Sequence, residues 1–218
     1  MKRIIVLLGF AACTLLWIPA PANADSFSVT LDTSSLSGTQ ELAFLLTDGD
    51  GVVDNTSSLS VFAFGGGAAL GAPDYLGTTG VTGDLASAIA IDDSSGATAI
   101  FTQQFTPGSS LSFLLDITDN FAGGTPDTFA MEICDSTFST CYSDDVNTGA
   151  MLVLNMTAGP LSASSFILNG ASQQNLPAPV VTALGVESPE PASLPLLVLG
   201  LLWLARMKAR RPSGAVSP

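Results

Sequence analysis

Leu111-Ser112-Phe113-Leu114-Leu115-Asp116-Ile117-Thr118 carries the pattern that decides the fold. Leu111, Phe113, Leu115 and Ile117 recur at every second residue, with Ser112, Leu114, Asp116 and Thr118 between them. Successive side chains of a β-strand point to opposite faces, so this spacing puts the four apolar groups on one buried face. The same alternation occurs earlier, where Phe27, Val29 and Leu31 interleave with Ser28, Thr30 and Asp32. Further strands are expected over 41–47, 59–64, 88–91, 98–106, 128–134, 150–155 and 164–168, bounded by clusters of Gly, Ser, Asp and Asn. Between the two terminal segments no stretch keeps a helical period over three turns. The expectation is an all-β domain over residues 25–170, an antiparallel β-sandwich of jelly-roll-like kind.

The chain has 218 residues, with 6 Lys and Arg, 19 Asp and Glu, and no His. All the bases sit at the ends: Lys2, Arg3, Arg206, Lys208, Arg210 and Arg211. Residues 25–187 hold 18 of the 19 acids and no base. A segment without Lys, Arg or His cannot neutralise a nucleic-acid backbone, clamp a phosphate or form a Schiff base. Without an imidazole there is no Ser-His-Asp triad and no His-ligated zinc. Nucleic acid is therefore excluded as a partner, and any catalysis would have to run on carboxylates and hydroxyls. A hydrophobic fraction of 47% argues for a packed core rather than a disordered chain.

Residues 1–24 have the three parts of a secretory signal peptide. Lys2 and Arg3 supply the charged start, Ile4 to Ile18 the apolar run, and Ala22-Asn23-Ala24 the small-residue cleavage site. Signal peptidase would cut between Ala24 and Asp25. Phe10-Ala11-Ala12-Cys13 faintly resembles a lipoprotein processing box, but the apolar run continues past it to a complete cleavage site. At the other end, Pro189-Glu190-Pro191 precedes an apolar run over 192–207 and the basic stop formed by Arg206, Lys208, Arg210 and Arg211. As a helix this run spans about 24 Å at 1.5 Å per residue, short of a hydrocarbon core of about 30 Å. Snorkelling basic side chains and an interfacial Trp203 make up part of the difference, so a single C-terminal transmembrane helix is expected. The basic cluster holds that end in the cytoplasm and leaves the acidic domain outside.

Glu187-Ser188-Pro189-Glu190-Pro191-Ala192-Ser193-Leu194, with the Leu-rich run and Arg-rich tail that follow, resembles the PEP-CTERM sorting signal of Gram-negative bacterial proteins. The resemblance covers about 30 residues and departs from the usual pattern at Ser188, where Val is frequent, and at Pro195 inside the apolar run. Pro195 falls in the first helical turn, where a missing N–H is tolerated. The resemblance implies recognition by an exosortase through Pro189, Glu190 and Pro191, and an association with exopolysaccharide and biofilm. The stretches Leu45 to Asn55 and Val61 to Gly67 also resemble a recurring ectodomain type of PEP-CTERM proteins, which implies a β fold and no particular activity. The resulting organisation is a signal peptide over 1–24, an ectodomain over 25–170, a linker over 171–188, the sorting signal over 189–211 and a short tail over 212–218.

Within the ectodomain, Asp48, Asp50 and Asp54 form Asp-Gly-Asp-Gly-x-x-Asp, a spacing that suits calcium because carboxylates and carbonyls converge around a glycine turn. The match to an EF-hand is incomplete: with Gly51 at the turn, Leu46 and Ser57 stand where the first and last ligands belong. The competing reading is a polar hairpin whose Asp-Gly pairs supply positive φ. Cys134 and Cys141 are the only cysteines of the exported part, and an oxidising compartment favours a disulfide closing a short hairpin. Asp92-Asp93, Asp144-Asp145, Glu41 and Glu132 could supply a glycosidase's carboxylate pair, but so acidic a chain makes such pairs uninformative. Trp17 and Trp203 lie in the terminal segments, which leaves Tyr75 and Tyr142 as candidate sugar-stacking rings beside core Phe.

The function expected is that of an exported, non-catalytic cell-surface or extracellular-matrix protein, first anchored in the inner membrane and then released or displayed outside. The competing expectation is a calcium-dependent or carbohydrate-binding module on the same delivery system. Intact-mass measurement of the exported protein should place its first residue at Asp25; a lipidated Cys13 at the N-terminus would refute this cleavage.

Overall fold

A computed structural model describes residues 24–118, 120–121, 123–157 and 160–184. The expected signal peptide up to residue 23, the Pro189-Glu190-Pro191 motif, the apolar run expected as a transmembrane helix and the basic residues Arg206, Lys208, Arg210 and Arg211 lie outside the described residues. Among the described residues no helix is long and apolar enough to cross a membrane.

Among the described residues twelve strands follow one another: β1 (Ala24–Asp32), β2 (Gln40–Thr47), β3 (Thr56–Ala63), β4 (Ala68–Ala69), β5 (Val81–Gly83) and β6 (Ala88–Asp92), then β7 (Thr98–Thr106), β8 (Ser110–Thr118), β9 (Asp127–Asp135), β10 (Leu152–Met156), β11 (Phe166–Leu168) and β12 (Val180–Leu184). One sheet has the order β12-β1-β8-β3-β6-β5 and the other β11-β10-β9-β2-β7-β4. The strand pairs are antiparallel in both sheets.

The alternation read from the sequence is the alternation of burial. Leu111, Phe113, Leu115 and Ile117 of β8 face inward beside Phe27, Val29 and Leu31 of β1, while the residues between them are partly exposed. Opposite lie Leu42, Phe44 and Leu46 of β2, Phe101 and Phe105 of β7, and Phe129, Met131 and Ile133 of β9, all within one hydrophobic cluster. Phe44 is the central contact between the layers. Its ring meets Phe101 and Phe129 of its own sheet and Phe62 and Phe113 of the facing one, at centroid distances of 5.3–6.2 Å. Such pairs add to area burial because ring edges and faces carry opposite partial charge.

Two expectations are corrected. Residues 171–188, read as a linker, are folded as far as the described residues extend. Ala171 and Leu176 are buried and exchange backbone hydrogen bonds at 2.9 and 3.1 Å. The chain then enters β12, which pairs with β1 from Thr30↔Val180 to Ser26↔Leu184. Pro177 and Pro179 hold the approach extended and Val180, Val181 and Thr182 favour a strand. The pairing also covers what would otherwise be an open edge of β1. The segment 48–55, offered as a hairpin, is not one: β2 and β3 belong to different sheets, so these residues cross from one layer to the other.

A chain ending after Leu184 is expected to melt at the same temperature as one carrying the full C-terminus, whereas a chain ending after Gly170 loses its cooperative transition. Phe44→Ala is expected to cost about 3–5 kcal/mol in urea unfolding, since truncating a fully buried ring leaves a cavity.

Candidate functional site: an acidic cluster where the sheets exchange chain

Three of the crossings between the sheets converge. Residues 48–55 link β2 to β3, Asp93 begins the link from β6 to β7, and Asp127 opens β9 after the crossing from β8. Carboxylate oxygens of Asp48, Asp50 and Asp127 lie within 4.8 Å of one another, and those of Asp54, Asp93 and Asp127 do the same. Asp127 belongs to both groups. The sequence had grouped Asp48, Asp50 and Asp54, and the structure brings all three into this region. It adds Asp93 and Asp127, which no local spacing connects to them.

The cluster is held by backbone amides and by the side chains of Asn55 and Asn120. Gly49 N–H donates to Asp127 Oδ1 at 2.8 Å, and Asn55 Nδ2 donates to Asp127 Oδ2 at 2.9 Å. A Cβ at Gly49 would stand 2.3 Å from Pro126 O, so only glycine lets the two loops approach this closely. Asp93 Oδ2 accepts from the amides of Asp54 and Asn55 at 3.1 and 2.9 Å. Asn55 Oδ1 accepts from Asn120 N, and Asn120 Nδ2 donates to Asp54 O. Asp48 and Asp50 cap their own loop, accepting from Gly51 N and Val52 N.

Asp93, Asp127 and Asn55 are buried, with Asp93 at 0% exposure. The buried oxygens Asp93 Oδ1 and Asp54 Oδ1 meet no hydrogen-bond donor. Burial pushes the Asp93 carboxyl above the ordinary carboxylate range, against the pull of its two backbone amides, and the charge of Asp127 adds to the push. Burial raises Asp54 as well, with the charges of Asp50, Asp93, Asp127 and Asp48 contributing.

The other candidates fall elsewhere. Asp25 stands near the start of β1, beside Ala24, and its Oδ2 accepts from Leu161 N at 3.1 Å. Cys134 and Cys141 are joined in a disulfide across a narrow antiparallel turn. Asp135 organises that turn, accepting from the amides and hydroxyls of Thr137 and Ser139, which hold its carboxyl well below the usual range. Glu132 Oε2 lies 3.3 Å from Cys141 Sγ, and burial pushes its carboxyl up. These three side chains are not a metal site, because a disulfide sulfur is no thiolate ligand. Glu41 is raised by burial and by Asp74, with the Thr102 hydroxyl acting against them.

Of the remaining acids, Asp92 and Asp145 cap turns at Ser94 N and Asn147 N, and Asp144 binds Ser172. Tyr75 meets Phe101 in a tilted ring contact and donates to Gly83 O at 3.0 Å, and both Tyr75 and Tyr142 pack against the core. The large hydrophobic side chains exposed among the described residues are aliphatic, so neither tyrosine stands out as a sugar-stacking platform.

No family model, curated protein or solved structure compared with this chain matches it.

Replacing Cys134 and Cys141 together by Ser should cost about 2–3 kcal/mol of unfolding free energy, the chain-entropy value for so short a loop. Glu132 has a folded pKa above its unfolded one, so its contribution to stability is full below the unfolded pKa and is lost as pH rises through the folded pKa. Glu132→Gln should therefore raise the melting temperature at pH 7 and lose that advantage near pH 4, as followed by thermal melts across that range.

Proposed function

We propose that this is an exported, non-catalytic surface or matrix protein, delivered by its signal peptide and passed to an exosortase through Pro189, Glu190 and Pro191. In this reading the C-terminal helix anchors the precursor in the inner membrane, the basic stop stays cytoplasmic, and the acidic domain is displayed outside. The observation that carries the extracytoplasmic part is the Cys134–Cys141 disulfide, since such bonds form and persist in oxidising compartments. Ser26 pairs with Leu184, so the chain enters and leaves the domain at the same end of one strand pair. The order β1-β8-β3-β6 in one sheet and β2-β7-β4 in the other supports a jelly-roll-like arrangement. A structural role in an exopolysaccharide matrix follows from the sorting-signal resemblance.

The test compares C-terminal processing of the native protein with that of a Pro189-Glu190-Pro191 to Ala-Ala-Ala variant, in cells with and without the exosortase. Intact mass should show C-terminal shortening only in the native protein with the enzyme present. Identical C-termini in all four samples would refute sorting through this motif.

A further inference from the structure

The strongest unexplained feature lies at the crossings between the sheets. Asp93 is fully buried and only one of its two oxygens is satisfied: Oδ2 receives two backbone amides, while Oδ1 has no donor. Asp54 Oδ1 is likewise buried without a donor. Removing a carboxylate from water without a compensating partner is costly, and a buried charge is ordinarily paired or bound to metal. Pairing within the domain is impossible, because residues 25–187 contain no Lys, Arg or His. The neutralising charge therefore comes from solution, as a proton or as a metal ion, and a metal ion also offsets the charge of the neighbouring carboxylates.

We propose that Asp54, Asp93 and Asp127 bind a hard divalent cation, calcium by its chemistry, with Asp48 and Asp50 completing the anionic side of the site. The donors are oxygens alone, which suits calcium or magnesium and not the thiolate- or imidazole-seeking metals. Calcium takes six to eight oxygens at about 2.3–2.6 Å in flexible geometry, so ligands facing each other across the ion stand up to about 5 Å apart. The spread of the two carboxylate groups, within 4.8 Å in each, fits that span. Magnesium requires a tighter octahedron at about 2.0–2.1 Å and gives up its waters reluctantly.

The position assigns the ion a mechanical role. Its ligands come from the β2–β3 crossing, the β6–β7 crossing and the start of β9, so one bound ion ties together three places where the chain passes between the sheets. The ion is a staple for that end of the sandwich, and a domain lacking it carries repelling carboxylates there. This inference does not depend on how the protein is sorted, and it can fail or hold whichever way the exosortase test falls.

The experiment uses the purified exported protein, stripped with a chelator and titrated with calcium chloride. Magnesium chloride and sodium chloride of matched ionic strength are run in parallel. Melting temperature and titration calorimetry are the readouts. Calcium should bind saturably with a Kd of about 10⁻⁴–10⁻³ M or tighter, the range of extracellular modules, and raise the melting temperature, with magnesium weaker and sodium without a saturable effect.

Asp93→Asn should weaken calcium binding at least tenfold, whereas Asp145→Asn, which removes the same charge from a turn outside the cluster, should leave it unchanged. If Asp93→Asn does not fold, Asp54→Asn carries the same expectation. No saturable calcium effect up to 10 mM would overturn the proposal. An effect equal in sodium chloride, or unchanged in the cluster variant, would overturn it too, since either would show general screening of an acidic surface.

Discussion

Everything in this domain is arranged around the absence of a cation. With no Lys, Arg or His between residues 25 and 187, no side chain of that stretch can form an ion pair with any of its acids. Backbone amides take that role. Seven aspartates, Asp32, Asp50, Asp74, Asp84, Asp92, Asp135 and Asp145, accept from the N–H two residues further on. An aspartate used this way satisfies its charge with a donor that a tight turn leaves free, and it fixes the turn. The acidity and the many short turns are thus one feature, because the carboxylates end strands and begin loops.

That solution works at the surface and fails in the interior. An exposed Asp keeps water on the oxygen its amide does not reach, while a buried one does not. At Asp93 two amides reach Oδ2 and no donor reaches Oδ1, and the neighbours Asp54 and Asp127 add negative charge. The crossings between the sheets are where this happens, because there the backbone leaves the ladders and the inner residues can be polar. The apolar part of the interior has no such conflict: Phe44 and the rings around it join the two layers by packing alone.

Patterning located the long strands and was less exact for the others: 59–64 and 150–155 are offset from β3 and β10, and residues 164 and 165, expected in a strand with 166–168, lie in a 3₁₀ turn. The strand expected at 98–106 is β7 to the residue, and those expected at 41–47, 111–118 and 128–134 lie within β2, β8 and β9. It missed β4 and β5, which are two and three residues long and too short to show a period. It also missed β12, an edge strand with little buried surface of its own, whose identity depends on β1 being there to pair with. The composition of 171–188 resembles a linker for the same reason. Asp-Gly pairs report a turn but not whether the strands on either side pair with each other, so 48–55 could be read as a hairpin while serving as a crossing.

By itself, then, the sequence determined the class of fold, the placement of the main strands, the pairing of Cys134 with Cys141 and the lack of any base between residues 25 and 187, since each depends on residue type and near-neighbour spacing. It also marked Asp48, Asp50 and Asp54 as a group. Only the tertiary structure decided that Asp93 and Asp127, 39 and 73 positions beyond Asp54, join them, that Asp93 is buried with one oxygen unmet, and that β12 closes the edge of β1. Burial and convergence are properties of how distant segments pack. An isolated Asp in a string of acids looks the same whether it ends in water or at the junction of two sheets.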